Sequence, residues 1–199
     1  MPKHRIVAVE TLYEGWGRLL RLTVEQPDGN RIKREVEDHG AAVAVLPYDP
    51  ERRTAILVRQ FRAPVFHAGT EEHLLEAPAG MLDEDRPEDC ARREAEEEVG
   101  LHLRDLEPVG AVWSMPGVST EHMHLFLAPY GEADRIGEGG GLAEEHENIE
   151  VVEMPLSELG TMAERGTLAD LKTLALVQAL RLRRPELFEA VDRNDGGRR

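Results

Sequence analysis

Between Gly80 and Leu101 the chain reads Gly-Met-Leu-Asp-Glu-Asp-Arg-Pro-Glu-Asp-Cys-Ala-Arg-Arg-Glu-Ala-Glu-Glu-Glu-Val-Gly-Leu, its densest run of chemically useful side chains. On a helix, residues four apart share a face, so Glu94 and Glu98 stack one above the other with Glu97 beside them. Carboxylates at that spacing repel by roughly 0.2–0.5 kcal/mol per pair in water, a cost with no structural return unless a cation neutralises them. Oxygen-only donors suit a hard divalent ion, Mg2+ first and Mn2+ next, which keeps some of its waters and shares its shell with phosphate oxygens. A solvated acidic face on a surface helix is the other reading of the same residues.

A second acidic group lies in Gly131–Asn148, which holds five glycines and six acidic residues with almost nothing apolar. It is too long for a simple connection and is either functional or disordered. Its glycines would allow it to close over a ligand, and Glu144, Glu145, His146 and Glu147 supply groups able to take a proton from water. Arg62 is a candidate phosphate clamp, because a planar guanidinium grips two oxygens at once, and otherwise an exposed arginine at a strand end. His122 and His124 alternate along a strand with no third ligand in register, which favours a strand surface over a metal site. Cys90 reads as core packing. Tyr13 and Trp16 are either packing or platforms for a base.

The elements that must position these groups follow from pattern. Arg5–Tyr13, Arg18–Gln26 and Arg31–Gly40, with a turn at Pro27–Asn30, read as an antiparallel meander. Ala41–Leu46 and Thr54–Phe61 are continuous apolar runs, as in strands buried on both faces. Leu74–Met81 gives a strand running into a loop. Residues 86–101 form a helix that Pro87 opens and Gly100 stops. Strands follow at Leu106–Trp113, His122–Pro129 and Ile149–Pro155, then helices over 155–166 and 168–183, and a polar tail expected to be mobile. Interleaved strands and helices imply a mixed α/β sheet with helices packed on it. The expected divisions are a small N-terminal sheet over residues 1–40, a main domain over 41–190 and a tail over 191–199.

Composition bounds the partners. The chain has 199 residues, 41% hydrophobic and 32% charged, with 24 Lys plus Arg against 39 Asp plus Glu, a net charge of −15. Nucleic acid and anionic membranes would be repelled by such a surface, and a phosphate ligand would need a cation as mediator. One cysteine, no apolar signal core and no bilayer-length apolar run make the cytoplasm the expected compartment.

The frame around the carboxylates resembles the box of the Nudix hydrolases, G-x5-E-x7-R-E-U-x-E-E-x-G-U, with U a bulky aliphatic residue. Arg93–Leu101 fits its second half, with the small Ala95 at one U position. The first half is one residue short: counting back from Arg93 puts Asp85 at the first glutamate, whereas counting forward from Gly80 puts Arg86 there. Arg59-Gln60-Phe61-Arg62, Leu75-Glu76-Ala77-Pro78-Ala79-Gly80 and the downstream Pro116 look like the ADP-ribose and nucleotide-sugar pyrophosphatase branch. Lys33–Val36, the shortened box and Gly139–Gly141 ahead of Glu147–Val151 look most like its GDP-mannose pyrophosphatase members.

That resemblance implies an α/β/α Nudix sandwich and Mg2+-dependent hydrolysis of a nucleoside diphosphate sugar, of GDP-mannose or ADP-ribose type, to nucleoside monophosphate and sugar phosphate. It implies metal held by Glu94 and Glu98 with Glu97 and the Ala79 carbonyl. It places Glu145 and Glu147 as proton acceptor and metal or water ligand, Glu97 as next candidate, and Arg59, Arg62, Glu76, Pro116 and Glu121 around the substrate. A homodimer joined through the N-terminal sheet is implied too. A catalytically silent nucleotide-sugar sensor is the alternative of another class.

Overall fold

The computed structural model describes residues 3–69, 73–82, 86–142 and 148–189. Among them, strands β1 (Arg5–Glu14), β2 (Arg18–Glu25) and β3 (Arg31–Asp38) form a three-stranded antiparallel sheet. Its second turn is fixed by chemistry at its tip: Gly29 takes φ +87°, and the Asp28 carboxylate accepts from the Asn30 backbone at 2.9 Å.

The remaining strands build one seven-stranded sheet. Strands β4 (Ala41–Asp49), β5 (Thr54–Phe61), β8 (Glu107–Trp113), β9 (His122–Pro129) and β10 (Glu150–Pro155) run in the order β10-β5-β4-β9-β8. Only β4 and β9 pair in parallel, so the sheet is mixed. Two short strands hang off this path, β6 (His73–Glu76) on β5 and β7 (Ala79–Leu82) on β4. The expected strand and loop are thus two strands, because the chain changes partner at Ala77-Pro78. Proline has no N–H for the ladder, yet the Pro78 carbonyl still accepts from Val45 at 2.9 Å.

Helices α2 (Pro87–Val99), α3 (Leu156–Arg165) and α4 (Leu171–Arg183) cover the sheet, and a one-turn helix α1 (Ala63–His67), not legible in the sequence, follows β5. The apolar runs of β4 and β5 divide cleanly between two cores. Val43, Val45, Ile56 and Val58 face α2 with Cys90, Ala91 and Ala95, whereas Ala44, Leu46, Ala55 and Leu57 face Leu159, Leu176 and Leu180. Alternation at period two with both faces apolar is the reason those runs are continuous. Each fully buried Leu or Val here contributes roughly 1.5–3 kcal/mol. Among the described residues, no helix is long and apolar enough to cross a membrane. The expected mobile tail lies outside the described residues.

Candidate active site

Helix α2 is built to present carboxylates to one backbone corner. Pro87 occupies its first turn, Glu88 and Asp89 meet the positive end of the helix dipole, and Gly100 ends it at φ +65°. Its inner face carries Cys90, Ala91, Ala95 and Val99, which seat it on the sheet. That seating drags Glu94 and Glu98 inward, to 9% and 2% exposure. Glu98 accepts from the Ala79 N–H at 3.1 Å, and a Cβ on Gly80 would fall 2.1 Å from the Glu94 carboxylate. Glycine is required there for close approach rather than for an unusual φ. Glu97, half-buried, pairs with Arg93 at 3.1 Å, and Arg93 also reaches Glu94 at 2.9 Å.

The segment entering this corner is pinned from the other side. Glu76, 1% exposed, takes two hydrogen bonds from Arg62 at 2.7 and 3.0 Å and a third from Lys172. Burial pushes the Glu76 carboxyl up, but the Arg62 hydrogen bonds and the Lys172 and Arg62 charges outweigh it and hold the group below its ordinary value. The Arg62 guanidinium loses stability through burial and regains more from Glu76, so its pKa is raised. One residue on, the Ala77 N–H donates to Thr173 Oγ1 at 2.6 Å, and Asp170 caps α4 by accepting from the Thr173 N–H at 2.9 Å. Lys172 and Thr173 were not singled out by sequence reasoning. The Asp170-x-x-Thr173 cap spacing at the head of an apolar helix was their signal.

These groups border one cavity of about 580 Å3. Arg62, Glu76, Asp170 and Lys172 line one part of it, Ala79 and Gly80 another, and Trp16, His39, Trp113, Ser114 and Glu121 a third. Its walls thus join the N-terminal sheet to the main sheet, with the Glu37 N–H donating to Val118 O at 2.8 Å and the Thr120 N–H to Glu37 O at 2.9 Å as the seam.

Other expected site residues fall elsewhere. Arg59 pairs with Glu150 at 2.8 Å across the β5–β10 ladder and, like Pro116, is off the cavity wall. Glu76 lines the wall, with its oxygens turned to Arg62 and Lys172. Asp85, Glu145 and Glu147 lie outside the described residues. Cys90 is fully buried, and His122 packs against Trp113 with ring centroids 4.8 Å apart. The glycines of the acidic segment have a use that the expected closure did not foresee. Gly140 and Gly141 donate to the carbonyls of Glu98 and Glu97 at 2.9 and 3.1 Å, and a Cβ on Gly139, at φ +70°, would fall 2.4 Å from Glu98 O.

A Nudix domain model matches residues 38–177, which include the carboxylates of α2, the Ala79–Gly80 corner and the Arg62 cluster. The chain belongs to the Nudix family. Among curated Nudix relatives, the GDP-mannose pyrophosphatase of Cronobacter sakazakii is 45% identical over 163 residues, 81% of this chain and 84% of that one. The GDP-mannose pyrophosphatase of Klebsiella pneumoniae is 39% identical over 158 residues, 77% and 79% of the two chains. A solved structure described as an ADP compounds hydrolase superposes with a TM-score of 0.73 over 92% of this chain and 95% of that one, at 22% identity, so it shares the Nudix fold.

Nudix hydrolases generally use a divalent metal. Among the described residues no three Asp, Glu, His or Cys side chains stand close enough together to hold one. The donor chemistry nevertheless fits: two nearly buried carboxylates meet a single corner of backbone, and their donors are all oxygen.

Proposed function

We propose that the protein is a Mg2+-dependent pyrophosphatase of nucleoside diphosphate sugars, with GDP-mannose the first substrate to test and ADP-ribose the second. The observation that carries this reading is the Ala79–Gly80 corner. Its backbone lines the cavity on one side, while its N–H and its missing Cβ receive Glu98 and Glu94 on the other. A diphosphate in the cavity would therefore sit against the corner where the buried Glu94 and Glu98 carboxylates converge. The names of the curated relatives support the substrate class.

Charge balance explains why a metal is needed. The cluster at the cavity wall pairs two cations, Arg62 and Lys172, with two carboxylates, Glu76 and Asp170, and is neutral by formal count. In a chain of net charge −15 it cannot by itself attract a diphosphate. When bound by Glu94, Glu98, Glu97 and the Ala79 carbonyl, Mg2+ would neutralise nonbridging oxygens and acidify a water. Arg62 spends two N–H groups on Glu76, which leaves the rest of its fork for phosphate oxygens. The attacking water's oxygen bonds to phosphorus, the bond from that phosphorus to the bridging oxygen breaks, and a carboxylate takes the water's proton. Glu145 is the proposed acceptor and Glu147 a metal or water ligand, with Glu97 next in line. Glu121 faces the sugar.

A homodimer belongs to the same proposal. In the N-terminal sheet the register sets Ile6, Val24 and Ile32 on one face with Val9, Leu22 and Leu20, while Glu10, Arg21 and Glu35 form ion pairs on the other. Among the described residues neither buried core includes a position before Ala42, and Ile6 and Val9 are 58% and 60% exposed. An apolar sheet face left so open fits a second copy. We place the protein in the cytoplasm because its one cysteine is buried in the core and requires no oxidising compartment.

The test is phosphate release from GDP-mannose, other nucleotide sugars and ADP-ribose in a phosphatase-coupled assay, with and without Mg2+. Metal-dependent release from nucleotide sugars is expected. Binding without release would leave a sensor in place of an enzyme.

A further inference from the structure

Two buried side-chain atoms have no hydrogen-bond partner among the described residues, Oγ of Ser114 and Nδ1 of His39, and both residues line the cavity. Buried polar atoms left unbonded are rare, so Ser114 Oγ on the cavity wall points to a ligand that would satisfy it. Ser114 stands away from the Arg62 cluster. Arg62 follows β5 and Ser114 follows β8, three inter-strand spacings apart in the sheet order, or about 14 Å.

Ser114 and Glu121 extend the β8–β9 ladder one step past its last pair, the Ser114 N–H donating to Glu121 O at 3.3 Å. Both side chains therefore reach the cavity from neighbouring positions. The Glu121 carboxylate lies 3.3 Å from His39 Nε2. Because a carboxylate only accepts, that nitrogen carries the hydrogen and aims the carboxylate. His39 is itself wedged: its ring lies 5.0 Å from that of Trp16, Glu37 stands 3.8 Å from Nδ1, and a Cβ on Gly17 would come within 3.1 Å of its own Cβ.

We infer that this wall reads the hydroxyls of the substrate's sugar, with Ser114 Oγ and the Glu121 carboxylate bonding to neighbouring hydroxyls and His39 as the positioning residue that aims Glu121. The inference rests on the pyrophosphatase reading and adds Ser114 and His39 to it. Adjacent sugar hydroxyls supply two donors to a carboxylate and either role to a serine, and the exposed Trp16 indole offers a flat face to the ring's C–H groups.

The experiment compares GDP-mannose with the methyl ester of GDP, which has the same base and diphosphate without the sugar, in wild type, Ser114→Ala, His39→Ala and His39→Gln. Melting temperature is recorded for each. Ser114→Ala and His39→Ala are expected to lower the ratio of kcat/KM for GDP-mannose over the methyl ester about tenfold, chiefly through KM. His39→Gln, whose amide can still donate to Glu121, should recover most of that ratio. A ratio within twofold of wild type in both alanine variants overturns the inference. So does an equal loss on both substrates, the mark of a role in folding or in holding the base. If wild type hydrolyses neither compound, the pyrophosphatase reading falls. Calorimetric titration of GDP-mannose into wild type and Ser114→Ala then decides the sugar contact alone, with equal affinities overturning it.

Discussion

Replacing Gly80 by alanine adds one methyl group and should remove most of the activity while sparing the fold. The added Cβ would fall 2.1 Å from Cδ and Oε1 of Glu94, and an ordinary contact begins near 3.4 Å, so the carboxylate must retreat by the difference, about 1.3 Å. Gly80 pairs with Val43 in the sheet and has no positive φ, so alanine suits the backbone. The mobile party is the end of a flexible side chain, whose off-rotamer cost is about 0.5–1.5 kcal/mol. In a chain of this size that is a loss of a few degrees in Tm, at about 2–4 °C per kcal/mol. For chemistry the same shift is severe, since an error of about 1 Å in a positioned group costs on the order of a hundredfold in rate. The assays are a thermal melt and steady-state hydrolysis of GDP-mannose. A kcat within threefold of wild type would refute the claim that Glu94 works from this corner. A Tm lowered by more than about 10 °C would refute the claim that Glu94 yields and the fold does not.

Glu98→Gln keeps shape and an acceptor for the Ala79 N–H, and is expected to cut turnover at least about a hundredfold with Tm near wild type; near-normal activity would remove Glu98 from the metal site. The Glu145→Gln/Glu147→Gln double variant should lower kcat with little change in KM, and wild-type turnover would shift the base to Glu97. Glu76→Gln leaves Arg62 without its carboxylate partner and Lys172 with Asp170 alone, and because Arg62 is partly open to water it should destabilise by up to about 3 kcal/mol at neutral pH, the low end for a buried pair. Because the Glu76 pKa lies below its ordinary 4.5 in the fold, its ion pairs stabilise fully above that value and lose their contribution as pH falls through the folded value. The gap in Tm between wild type and Glu76→Gln should therefore be widest near neutrality and close in acid below about pH 4.5; a gap unchanged from pH 7 to 3 contradicts the assignment.

The strands, the three long helices and the stop at Gly100 were legible because each rests on local pattern: alternation, apolar run length, a proline in the first helical turn or a glycine after the last. The exchange of partners at Pro78 was not legible, since it depends on which strands lie alongside. Glu94 and Glu98 were found through spacing, although spacing says nothing about depth, and their burial follows from Ala91 and Ala95 being small enough to bring α2 close to the sheet. Glu76 was placed at the substrate by resemblance, and its grip on Arg62 and Lys172 could not be read because Lys172 is 96 residues away in the chain. Ser114 and His39 carried no signal in the sequence. A serine after a strand and a histidine before a glycine become notable only when the fold leaves an atom of each buried and unbonded.

The glycine-rich segment shows how one stretch serves stability and placement together. The last carbonyls of a helix lack intrahelical donors, and a helix end so deeply packed needs others. Here the Ile136 N–H donates to Gly100 O at 2.8 Å, and Gly140 and Gly141 serve Glu98 and Glu97. Such an approach tolerates no side chain at Gly100 or Gly139, where a Cβ would fall 2.2 Å from Gly137 O and 2.4 Å from Glu98 O. These contacts are backbone against backbone, so unlike Gly80→Ala a substitution at either glycine should unseat the helix end and lower stability. They also fix the position of Gly141. Glu145 and Glu147 follow Gly141 by four and six residues, and Gly141 is bonded to the backbone of Glu97, beside the carboxylates proposed to hold the metal. The hydrogen bonds that finish α2 are therefore also the ones that hold Gly141 beside the carboxylates of that helix.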